Sequence, residues 1–203
     1  MMVPPEPGLS YKSVAANPYA WPFDGQWSSA DTALLLLGLQ QCAVDALQAR
    51  EAVLAARDLL LLAHEHGIAI YVARREARPE KLASDDHVAP AAWQWARDIA
   101  LPEDAHIITH AGDNAFYQTG LENSLRSAGI RNLLIAGLPT DGLVHATQRT
   151  ANDMGFECLA IADACAGTTP ARHAAQLRIT TFGNGLFGAV ADLAAVRAAL
   201  TPS

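Results

Sequence analysis

Positive charge is scarce in this chain. It carries 14 Lys and Arg against 21 Asp and Glu, a net charge of −7. That balance excludes the basic patch through which a nucleic-acid binder displaces counterions. Cysteine is scarcer still: Cys42, Cys158 and Cys165 are odd in number and widely spaced. This argues against a disulfide framework and for free thiols in a reducing, cytoplasmic compartment. No apolar run is long enough to span a bilayer. The stretch "MMVPPEPGLSYK" has no basic segment followed by an apolar core, so neither a signal peptide nor a membrane partner is expected. The nucleotide-binding glycine patterns are also missing. No G-x-G-x-x-G follows the first strand-like segment and no G-x-x-x-x-G-K-[ST] occurs anywhere. The glycine run "GNGLFG" at 183–188 follows a helix-like segment and reads as a turn. "HEH" at 64–66 lacks the spacing of a metal motif and suits a helix C-terminus, where histidine complements the dipole. No metal or cofactor is expected.

What is present is apolar and regular. Half of the residues (51%) are hydrophobic and 17% are charged, which rules out global disorder for a chain of 203 residues. That length is enough for one sizeable core. Residues 1–30 stand apart. Prolines at 4, 5, 7, 18 and 22 discourage regular structure, while Tyr19, Trp21, Phe23 and Trp27 are costly to leave in water. The segment therefore reads as an extended arm lying over the rest of the domain or over a neighbouring subunit, with 1–12 the part closest to a disordered tail. Residues 31–203 form the domain proper. Strand-like segments at 33–37, 68–73, 106–109, 132–136, 157–161 and 188–190 alternate with helical ones. The helical segments cover 40–66, 121–128, 141–154 and 170–182, each followed by glycine. Such alternation predicts a three-layer α/β/α sandwich around a mostly parallel, doubly wound sheet of about six strands.

In such a sheet the ligand crevice lies at the carboxyl ends of the strands. Three segments fall there. "TALLLLGLQQ" ends its leucine run on Gly38. "GLPTDG" leads from the 132–136 strand into a helix, where backbone N–H groups are available to an anion. His110 and Asp113 follow the 106–109 strand and pair by spacing, either as a reactive couple or as a loop surface pair. Arg74, Arg75 and Arg78 crowd the end of the second strand, either to bind a carboxylate or as a solvated cluster. Cys158 and Cys42 read as packing residues. Cys165, after its strand, reads as structural because nothing near it in sequence activates a thiolate.

The arm "NPYAWPFDG", the strand "TALLLLGLQ", the run "NAFYQTGLENSLRSAGIRNLLIAGLPTDGLVHATQRTANDMGFECLAIADACAG" and the tail "GLFGAVADLAAV" resemble the isochorismatase-like cysteine hydrolases. Within them the likeness is greatest to the biuret and ureide amidohydrolases. The resemblance implies an oligomer and a site built from an Asp general base, a Lys and a Cys nucleophile. The matching positions here hold Gly38, His110 and Leu143. It also implies a pocket that includes Pro139, Thr140, Asp141 and Phe116, with Asp141 as a helix N-cap. The Leu138–Pro139 bond is expected to be cis, and Pro139 lacks the N–H that would help form an oxyanion hole. The loops that cover the pocket in the resembling enzymes are short in this chain. The expectation is a catalytically degenerate homologue, a structural or regulatory subunit or partner of an active amide or ureide hydrolase. It would form a homo-oligomer or a hetero-oligomer with an active paralogue and would have a small amide or ureide as ligand. The alternative is an active small-molecule hydrolase, or a ligand sensor, that relies on other residues such as His110.

Overall fold

The computed structural model describes residues 10–76 and 93–200. Arg78 and most of the segment between the second and third strands lie outside them, as do residues 1–9. Six strands form one sheet: β1 (Thr32–Leu37), β2 (Ala69–Arg75), β3 (His106–His110), β4 (Asn132–Gly137), β5 (Glu157–Cys165) and β6 (Ala189–Ala191). Their order is β3-β2-β1-β4-β5-β6 and every pairing is parallel. Every residue of β1 and β4 is buried, which requires cover on both faces and explains the continuous leucine run. The expected three-layer sandwich is thus what forms.

The helices are α1 (Gln41–Leu47), α2 (Arg50–Glu65), α3 (Leu121–Ser127), α4 (His145–Asp153), α5 (Pro170–Thr180), the short turn α6 (Phe182–Gly185) and α7 (Leu193–Leu200). In α2, Ala52, Val53, Ala56, Leu59, Leu60 and Ala63 recur at helical spacing and are buried, so one face docks on the sheet. The continuous helix expected over 40–66 is broken. Gln48 adopts a left-handed conformation (φ 51°) that ends α1, a stop made without the glycine or proline that would have marked it. The helix expected from 141 begins at His145, because Asp141 and Gly142 leave helical geometry inside a π-turn at Thr140–Val144. "GNGLFG" does form a turn, with Gly183 and Asn184 left-handed. β5 runs further than 161, past a register shift against β4, so Cys165 is the last residue of the strand rather than a residue after it.

The described part of the arm, from residue 10, lies on its own chain. Val14 bridges Trp21, and Asn17 pairs antiparallel with Val190 of β6, donating its N–H to the Val190 carbonyl and accepting from the Val190 N–H, both at 2.9 Å. The outer edge of β6 is therefore occupied by the arm. Trp21 and Trp27 are buried, with ring centroids 5.2 Å apart. Trp27 donates its indole N–H to the Lys12 carbonyl at 2.8 Å, and the Tyr19 hydroxyl donates to Glu157 at 2.9 Å. No helix among the described residues is long and apolar enough to cross a membrane.

Candidate functional site

The strand order reverses direction between β1 and β4, and a crevice opens where the chains leaving these two neighbours diverge. Gly38 follows β1 and Pro139 follows β4 at this point. A cavity of about 310 Å³ sits there, lined by Gly38, Leu138, Pro139, Leu143, Arg75 and Asp113 among others. Its position follows from topology alone.

Gly38 is fixed by its backbone. Its φ is +64°, and a Cβ at this position would stand 2.3 Å from the Leu138 carbonyl oxygen and 3.1 Å from Leu143 Cδ2. A side chain of any kind must displace backbone here. Leu143, 4% exposed, fills the space beside it. The Leu138–Pro139 bond is cis, and Pro139 presents its ring to the cavity where another residue would present an N–H.

Gln40 holds the floor together. It is buried. Its amide N–H donates to the Arg75 carbonyl at 3.2 Å and the Trp93 carbonyl at 2.9 Å, and its Oε1 accepts from the Arg75 N–H at 2.9 Å. It thereby clips the end of β2 to the segment at Trp93. Sequence reasoning singled out Gly38 and passed over this residue, whose only signal was a glutamine two places beyond.

His110 ends β3, opposite Arg75 in the register. Its Nδ1 lies 2.8 Å from the Gly112 carbonyl, and a carbonyl can only accept, so Nδ1 carries the proton. The other ring nitrogen, Nε2, is buried with no partner and holds a bare lone pair. Burial pushes the ring below its ordinary pKa near 6.5; the Gly112 bond and Asp113 oppose this, and Arg75 adds to it. Burial also lowers His145 and His173. In each case the unfolded chain binds more protons than the folded one as pH falls below about 6.5. Stability from these residues is therefore complete above that pH and is lost as pH drops through the folded values. The melting temperature should fall on going from pH 7.5 to 5.5, with a shallower slope in His110→Gln; an unchanged slope in that variant would remove His110 from the account.

Thr140, Asp141 and Phe116 are not among the residues that line the cavity. Thr140 Oγ1 lies 2.8 Å from His173 Nδ1. Asp141 caps no helix of its own. Its carboxylate accepts from the N–H of Thr168 at 2.8 Å and from the Thr168 hydroxyl, fastening the turn after β4 to the loop after β5. Burial raises its carboxyl, but the Thr168 bonds and Arg172 outweigh this and hold it below the usual carboxylate range. Phe116 is buried, its ring 6.0 Å from that of Phe156. The pocket expected from sequence thus shares only Pro139 with the cavity, because the π-turn carries Thr140 and Asp141 toward α5. Cys165 is buried and its thiol is pushed up to about 12, chiefly by that burial, which makes it inert. Among the described residues, no group of three or more His, Cys, Asp or Glu side chains is placed to hold a metal.

The model of the isochorismatase domain matches residues 32–195. The chain belongs to the isochorismatase family. A ureidoacrylate amidohydrolase of Methylorubrum extorquens is 34% identical over 118 residues, 56% of this chain and 46% of that protein; the chain thus spans about half the length of the curated relatives it matches. Among solved structures, an isochorismatase-like hydrolase from Alkaliphilus metalliredigens superposes with a TM-score of 0.75 at 15% identity, covering 86% of this chain and 98% of that one. A pyrazinamidase of Pyrococcus horikoshii does so with a TM-score of 0.68 at 22% identity, covering 80% and 99%. At these identities the structural likeness shows the isochorismatase fold alone.

Proposed function

We propose that this chain is a non-catalytic member of the isochorismatase family, a structural or regulatory partner of an active amide or ureide hydrolase. The observation that carries the reading is Gly38. It stands where the family resemblance puts the general base, in a left-handed conformation, with the Leu138 carbonyl 2.3 Å from where a Cβ would go. Leu143 stands where the resemblance puts the nucleophile and offers carbon. Pro139 withholds one oxyanion donor, a loss that alone costs roughly 100- to 1,000-fold in rate. The partner is another copy or an active paralogue, and the cavity has room for a small amide or ureide of the kind in the relative's name.

The test combines assay and assembly. The purified chain should release no ammonia from ureidoacrylate, biuret or nicotinamide. Mixed with an active paralogue, it should co-elute and change that enzyme's rate. Independent elution and an unchanged rate would overturn the partner role. The second reading is an enzyme acting through His110, whose Nε2 lone pair is unpartnered; that atom is buried and His110 does not line the cavity, so a substrate would have to displace its surroundings to reach it. Turnover that disappears in His110→Ala would establish it and remove the first.

A further inference from the structure

The walls and the rim of the cavity differ in character. Leu138, Pro139, Leu143 and Ala43 are carbon surfaces, and the buried Gln40 amide is already committed to three backbone partners. Among the described residues, charge enters through Arg75 and Asp113. Their pairing is loose, with Arg75 Nη1 3.4 Å from Asp113 Oδ1 and side chains 44% and 68% exposed. An exposed pair at that length contributes little to stability, and among the described residues Asp113 is the one carboxylate paired with this guanidinium. A planar guanidinium presents parallel N–H groups that match a carboxylate. The cavity volume, about 310 Å³, lies at the small end of ligand sites.

We propose that this cavity binds a small, apolar-bodied monocarboxylate, its carboxylate on Arg75 and its body against Leu138, Pro139 and Leu143. The recognised group is the anionic end, not an amide. Asp113 is a built-in competitor that the incoming carboxylate displaces from the guanidinium. The proposal rests on the reading above that the cavity binds without hydrolysing.

Benzoate and its neutral isostere benzamide are the probes, titrated calorimetrically into the full chain. Benzoate should bind saturably and more tightly than benzamide, and less tightly as salt is raised. Arg75→Gln should weaken benzoate roughly 10- to 100-fold, the loss of a charge-assisted contact, and leave benzamide unchanged. Asp113→Asn should tighten benzoate about two- to fivefold. The Gln40 clip holds the backbone of Arg75, not its side chain, so the fold survives Arg75→Gln, and equal melting temperatures verify this. Benzamide binding as tightly as benzoate, benzoate indifferent to Arg75→Gln, or Asp113→Asn weakening benzoate would each overturn the proposal. Conversion of benzamide to benzoate and ammonia would instead overturn the non-catalytic reading, while the Arg75 comparison would still decide which end of the ligand is recognised.

Discussion

Substituting aspartate for Gly38 is expected to lower the melting temperature by on the order of 10 °C and to restore no hydrolysis. The left-handed backbone costs a side-chain-bearing residue roughly 1–2 kcal/mol. Overpacking costs typically 1–3 kcal/mol more, and here the new carbon meets the Leu138 carbonyl at 2.3 Å. Gly38→Ala should lose a similar amount, since conformation and the first carbon are to blame and not the carboxylate. Adding Leu143→Cys relieves only the second contact, at 3.1 Å, so the double variant stays destabilised. Thermal melts of the three variants, with an ammonia-release assay beside them, provide the check. A double variant as stable as the parent that cleaves ureidoacrylate would mean that two substitutions alone separate this chain from an enzyme.

The second large effect concerns the arm. Trp21 is fully buried, packed on Trp27, with its indole N–H unpartnered. Trp21→Ala should cost about 3–5 kcal/mol, the range for emptying a buried aromatic site, again on the order of 10 °C in melting temperature. Trp21→Phe should cost much less, because the lost N–H makes no hydrogen bond and most of the ring surface remains. Comparable losses in both variants would mean that indole shape, not apolar volume, holds the arm. Loss of dimers or larger assemblies without any thermal shift would instead place Trp21 at an interface.

The sheet was legible in the sequence because buried parallel strands write themselves as unbroken apolar runs, as at 33–37 and 132–136. The crevice was legible because strand order determines where it lies. Other features left no such mark. The break after α1 falls on Gln48, a residue that ordinarily continues a helix and here adopts a left-handed conformation. The bulge that lengthens β5 depends on β4 and not on its own composition. Asp141 matched an N-cap pattern, yet its partner, Thr168, is 27 residues away. Arg75, the cationic residue among the described residues that line the cavity, appeared as one of three arginines, and the register against His110 and the clip by Gln40 set it apart. Gly38 could be found by matching positions, but that it must be glycine is a fact of the Leu138 carbonyl, one hundred residues on.

The seat of the arm is made by chain that is synthesised late. Asn17 waits for Val190, and Tyr19 finds its acceptor 138 residues away at Glu157. During translation the aromatic cluster leaves the ribosome before the strand it will cover exists. These contacts form only after almost the whole domain has emerged, with closure over so long a loop slow to follow. In the cell this chain therefore has a vulnerable interval, in which a chaperone or a second nascent copy competes for those rings. Its yield on expression should respond to the speed of elongation more than its final stability would suggest.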